Sequence, residues 1–156
     1  MVGNVEGYLP KSINAALQIL NSENVIVYAG GTDLMVRYKN ETSLLPKFDK
    51  NILYIGQIDE LKKVYENNEE IVIGAGCTLA SLLRNEYVPE ILKKSIRGVA
   101  SPAIRNMGTI GGNICNASPA GDTLPVLYSL NSRCNVISEG LERTINIEDF
   151  IYGPRR

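Results

Sequence analysis

The chain has 156 residues, 44% hydrophobic and 21% charged, a balance that suits a soluble globular domain and excludes a disordered one. Sixteen basic residues against seventeen acidic leave a formal charge of −1, too small a surplus for sequence-independent binding to nucleic acid. Histidine is absent, which removes Ser-His-Asp and Cys-His catalysis and every His-containing metal site.

Ser12 is a capping residue for a helix over 13–20, where Ile13, Ala16, Leu17 and Leu20 share one stripe. The run Val25-Ile26-Val27-Tyr28-Ala29 is β-branched and apolar, as expected of a strand buried on both faces. Gly30-Gly31 breaks it, and Thr32 and Asp33 are N-cap types for a helix over about 33–39. Ile52-Leu53-Tyr54-Ile55 reads as a second buried strand. Residues 1–55 therefore predict a small βαβ lobe.

From residue 56 the pattern predicts an α+β lobe running to 156. A hairpin pairs 63–66 with 71–74 through Asn67-Asn68. Thr78 caps a helix over 79–85, and a second helix covers 89–99 with Pro89 at its first position. Residues 100–122, dense in Gly, Pro, Ser and Asn, read as one long structured loop. A helix starts at Asp122 and runs to about 131. A second hairpin joins 134–138 to 141–147, and a short helical turn follows at 148–151. No apolar run is long enough to span a membrane, and the first ten residues lack the pattern of a signal peptide. Cys77, Cys115 and Cys134 are widely spaced, without a Cys-x-x-Cys. They read as reduced thiols of a cytoplasmic protein, with Cys77 and Cys134 as buried apolar filler and no metal site.

Six of the fourteen glycines fall in two windows, 28–34 and 108–122. Residues without a Cβ let the backbone curl, so that successive N–H groups point into one concavity and bind anionic oxygen. In the first window the loop leads into a helix N-terminus, and Thr32 and Thr109 add hydroxyl donors. Taken singly, either window makes a plain turn. Together they point to a nucleotide diphosphate. Gly74-Ala75-Gly76 imitates a Rossmann fingerprint, but the third glycine place holds Leu79 and the preceding strand belongs to a hairpin. No Gly-x-x-x-x-Gly-Lys-[Ser/Thr] occurs, so a P-loop is not supported.

Ala29-Gly30-Gly31-Thr32-Asp33-Leu34 and Thr109-Ile110-Gly111-Gly112-Asn113-Ile114, followed by Ala117-Ser118-Pro119-Ala120-Gly121-Asp122, resemble the two FAD-binding loops of molybdenum hydroxylase flavoprotein subunits. That family includes the FAD subunits of xanthine dehydrogenase, carbon monoxide dehydrogenase and 4-hydroxybenzoyl-CoA reductase. Tyr8-Leu9-Pro10, Gly74 to Leu79 and Ile104-Arg105-Asn106-Met107-Gly108 fit the same pattern. The resemblance implies an α+β fold of the vanillyl-alcohol-oxidase (PCMH) type, two-lobed with FAD between the lobes. It places Val27, Tyr28, Ala29, Gly30, Gly31, Thr32, Asp33 and Leu34 in the first FAD loop. It places Gly108, Thr109, Gly111, Gly112 and Asn113 in the second, with Ser118 and Asp122 at its end. Val99 and Ala100 match positions lining the flavin nucleotide, and Cys115 matches a usually apolar lining position.

The resemblance also implies the partners. Molybdopterin and [2Fe–2S] centres belong to other subunits, and electrons pass through FAD to NAD+ or another acceptor. This role needs no acid–base side chain, and no catalytic residue is assigned. The acidic pairs Asp59-Glu60 and Glu69-Glu70 are solvated charges, and Arg105 either helps an anion site or has an ordinary surface role. Members of the family continue beyond the Phe-x-x-Gly-x-Arg segment seen here from Phe150 to Arg155, which implies a fragment, a truncated product or a split subunit. Two other expectations stay open: a stand-alone flavin oxidase or reductase of this fold, and a nucleotide-binding module without redox activity.

Overall fold

In the computed structural model, residues 5–39 and 47–153 are described. Residues 1–4 and 40–46 of the expected first lobe lie outside them, as does the 154–156 end of the Phe-x-x-Gly-x-Arg segment.

The chain begins with β1 (Gly7–Tyr8), α1 (Ile13–Ser22), β2 (Val25–Tyr28), α2 (Leu34–Arg37) and β3 (Asn51–Tyr54). The strands form one parallel sheet in the order β1-β3-β2, with Gly7 opposite Ile52 and Val27 opposite Leu53. Parallel strands need crossover connections, and α1 carries the chain from β1 to β2, the two edge strands, with β3 between them. Ser12 caps α1 by accepting from the Ala15 amide. Ala16, Leu53 and Ile58 are buried together, with Tyr8, Ile13, Ile19, Val25, Ile55 and Leu61 packed around them.

The remaining elements are a 3-10 turn (Asp59–Lys62), the hairpin β4 (Val64–Asn67) and β5 (Glu70–Ile73), and helices α3 (Leu79–Arg84), α4 (Glu90–Gly98), α5 (Pro102–Met107), α6 (Ile110–Asn116) and α7 (Thr123–Ser129). The hairpin β6 (Arg133–Ser138) and β7 (Leu141–Asn146) follows, then α8 (Ile147–Phe150). A second, larger cluster buries Leu79, Leu82, Leu92, Ile96, Ile110 and Leu127 among others. Cys77 is buried in it and Cys134 packs against its margin, as expected of apolar filler. β5 pairs antiparallel with β4, so the Gly-x-Gly at 74–76 ends a hairpin and does not open a Rossmann unit.

Three expectations need correction. β2 is not buried on both faces: it is an edge strand with no fully buried residue and with Val27 exposed. Residues 100–122 are not one loop: they hold α5 and α6. Ser101 caps α5 by accepting from the Ile104 amide, Pro102 sits in its first turn, and Thr109 caps α6 by accepting from the Gly112 amide. Caps and proline placement overcome the poor helix propensity of Gly111-Gly112. Pro89 is the residue before α4, not its first member. Its backbone is extended, with φ −57° and ψ 139°.

Candidate functional site

The two glycine windows meet. A Cβ built on Gly30 would stand 2.0 Å from the carbonyl oxygen of Met107 and 3.0 Å from the Cα of Gly108. Only a residue without a side chain permits that approach. Across the same crease, the Thr32 hydroxyl oxygen lies 3.5 Å from the place a Gly108 Cβ would take.

The first bend follows from its position at the end of a buried strand. Tyr28 is the last residue of β2, and its carbonyl accepts from the Ile55 amide at 2.9 Å. The chain then leaves the sheet and turns through Gly31, at φ +72°, a region where L side chains are strained. Among the described residues, the amides of Ala29, Gly30, Gly31 and Thr32 have no acceptor. All four residues are half-buried. Consecutive free N–H groups around such a turn form a concavity that attracts anionic oxygen. The ring of Tyr28 packs on Tyr54 with centroids 5.0 Å apart, and burial, with Tyr54 second, raises its hydroxyl pKa. Val27 is 43% exposed. Asp33 sits at the cap position of α2 without capping it; its carboxylate pairs with Arg37 at 3.1 Å. Leu34 opens α2.

The second bend works differently from the expectation. All but one of the amides from 108 to 113 are engaged within the protein: Gly108 donates to the Ile104 carbonyl, Ile110 to Cys77, Gly111 to Ala75, Gly112 to the Thr109 hydroxyl oxygen and Asn113 to the Thr109 carbonyl, while the Thr109 amide has no acceptor among the described residues. Leu79 in turn donates to the Gly108 carbonyl at 2.9 Å, so 77–79 and 108–110 lie side by side around the antiparallel bridge Thr78–Thr109. A Cβ on Gly111 would come within 2.7 Å of Ala75. The second glycine run is therefore mainly a packing device that braces the crease, while the run of consecutive free donors lies on the first.

Ala100 is exposed, with φ +43°. Its turn is held by Arg105, whose Nη1 donates to the carbonyls of Val99 at 2.7 Å and Ala100 at 2.9 Å. Of the two roles open to Arg105, the geometry shows backbone bracing. Asp122 reaches the same turn, its Oδ2 3.5 Å from the place of a Gly98 Cβ. Asn113 is half-buried on α6, and its carboxamide oxygen accepts from the hydroxyl of Thr123. Thr123 is fully buried, and the sequence alone gives it no site pattern. Its only signal there was a position next to Asp122 at a helix start. Cys115 is exposed on α6. Ser118 lines an apolar cavity of about 310 Å³ with Pro119, Leu124, Tyr128 and Ile151. Among the described residues, no cluster of three or more His, Cys, Asp or Glu could hold a metal ion.

A family model described as the FAD binding domain in molybdopterin dehydrogenase matches residues 3–156. The chain belongs to this family. The FAD-binding domain is 33% identical to the glyceraldehyde dehydrogenase medium chain of Sulfolobus acidocaldarius, over 92% of this chain and 51% of that one. It is 32% identical to xanthine dehydrogenase/oxidase of Gallus gallus, over 85% of this chain and 10% of the relative. Among solved structures, carbon monoxide dehydrogenase from Hydrogenophaga pseudoflava, in a form lacking the Mo-pyranopterin moiety of the molybdenum cofactor, superposes with a TM-score of 0.88 at 25% identity. That match covers all of this chain and 55% of the solved one. The FAD-binding domain thus spans about half the length of the medium chains it matches.

Proposed function

We propose that this chain holds FAD within a molybdenum hydroxylase, with the diphosphate of the dinucleotide on the amides of Ala29 to Thr32. The four free donors at a crease that a Cβ would fill carry this reading. They match the charge and size of a diphosphate bridge. Around them, the hydroxyls of Thr32 and Thr109, the carboxamide of Asn113 and the turn at Val99-Ala100 orient the rest of the nucleotide, with Asp122 beside that turn. Gly108 and Gly111 serve by close packing, and Gly112 by giving its amide to the Thr109 cap. Cys115 and Ser118 line the outer end of α6.

When bound, FAD supplies the redox chemistry, relaying electrons from [2Fe–2S] clusters to NAD+ or another acceptor. This chain's residues bind and orient the dinucleotide. A [2Fe–2S] subunit and a molybdopterin-binding large subunit are the proposed partners, in the cytoplasm. We place the division of the vanillyl-alcohol-oxidase type fold near residue 55, with the crease between the lobes. The two separate buried clusters support a two-lobed division, the first of them reaching on to Ile58 and Leu61.

Titration with FAD, followed by quenching of flavin fluorescence, tests the reading. Saturable quenching that ADP competes away is the expected result. Absence of quenching by a folded chain overturns it.

A further inference from the structure

We infer that Thr123 is a positioning residue for the dinucleotide: its buried hydroxyl fixes the carboxamide of Asn113 so that the NH2 group faces outward to an acceptor on the ligand. The inference rests on the FAD reading above and adds a residue to it.

A carboxamide carries an acceptor on one side and two donors on the other, and a free one can rotate to present either. At Asn113 the structure holds the oxygen inward. The carboxamide oxygen accepts from the Thr123 hydroxyl, and Thr123 is 0% exposed at the start of α7. That side of the amide therefore faces the core. The nitrogen lies opposite, and among the described residues it has no protein acceptor. Asn113 is half-buried, so a group with two unused donors sits within reach of a ligand. An outward NH2 attracts phosphate or carbonyl oxygen, whereas the flipped amide would offer a lone pair and repel it.

The helix that carries Asn113 is itself fixed. Its first amides are tied to Cys77, Ala75 and Thr109, so Asn113 cannot swing as part of a loose turn. The remaining freedom is that of its two side-chain torsions, and the Thr123 bond restrains it. A buried hydroxyl that satisfied only itself would leave binding unaffected. One that sets the orientation of a ligand contact couples to that contact.

The test uses FAD titration of the wild type, Thr123→Val, Thr123→Ser, Asn113→Ala and the Asn113→Ala/Thr123→Val double variant, with thermal midpoints of each ligand-free protein. Thr123→Val keeps the shape and loses the hydroxyl. It is expected to weaken FAD binding roughly tenfold, the worth of one hydrogen bond to a charged acceptor. Thr123→Ser restores it. In the Asn113→Ala background the Thr123 change has no further effect on affinity, since the group it positions is gone. Wild-type affinity in Thr123→Val, or the same tenfold loss with Asn113 already removed, overturns the inference while leaving the FAD reading intact. A wild type that does not bind FAD overturns the reading and the inference with it. If Thr123→Val does not fold, Asn113→Asp decides: it keeps the acceptor for Thr123 and replaces NH2 with oxygen, so it must bind FAD more weakly than Asn113→Ala. Equal or tighter binding refutes the inference.

Discussion

Gly30→Ala strains the crease at its narrowest point. The new Cβ would lie 2.0 Å from the Met107 carbonyl oxygen, where ordinary contact begins at 3.4 Å. The obstacle is backbone, not the tip of a flexible side chain. The two segments must separate by about 1.4 Å, because close-packed interiors leave no slack for the methyl group. Such overpacking costs about 1–3 kcal/mol of stability. The effect on binding is larger. A shift of that size carries N–H···O contacts out of range. Loss of two charge-assisted bonds at about 1.5 kcal/mol each weakens FAD roughly a hundredfold. Fluorescence quenching measures the affinity and a urea titration the stability. Gly56→Ala is the control: its Cβ would meet the Ala29 carbonyl at 3.8 Å, an ordinary contact, and should leave binding unchanged. If Gly30→Ala binds FAD as tightly as the wild type, the free amides beside this crease do not hold the dinucleotide.

Two further perturbations test the bracing and the core. Ala100→Gly removes a side chain held at φ +43° and should stabilise the protein by about 1 kcal/mol, whereas Arg105→Met deletes both carbonyl contacts and should cost about 1–3 kcal/mol; thermal midpoints should move in opposite directions. Burial raises the thiol pKa of Cys77 above its ordinary value of 9.0. The unfolded chain then loses this proton first, so the stability that the protonated thiol contributes is full below pH 9 and is lost as pH rises through the higher folded value. Urea midpoints should therefore fall more steeply from pH 8 to 10 in the wild type than in Cys77→Ala, and equal slopes would contradict this.

Much of this architecture is legible in local signals. Ser12 and Thr78 cap the helices that their positions announce, and the hairpins at 64–73 and 133–146 follow their alternation and turn residues. The parallel sheet follows from two apolar runs separated by a crossover, although β1 is too short, at two residues, to leave a pattern. The helices at 102–107 and 110–116 stayed hidden for a physical reason. Each is less than two turns long, and Gly111-Gly112 argues against helix. Both have side-chain caps, and the second is tied as well to Ala75 and Cys77, which are distant in sequence. The candidate site shows the same division. Glycine spacing points to both bends, yet it cannot tell a glycine that frees amides from one that lets two backbones touch. Gly30 and Gly111 permit close approach, and only the three-dimensional neighbours reveal it. Thr123 and Arg105 act through groups set by tertiary packing, so their chemistry is invisible one residue at a time.

The seam between Gly30 and Met107 joins segments with different moorings. One hangs from the edge strand of the parallel sheet; the other is pinned beside Thr78, over the larger apolar cluster. A molecule gripping both sides would act as a rivet between bodies that are each already packed. Its departure would loosen the joint and melt neither body, so the protein could exchange its prosthetic group without unfolding.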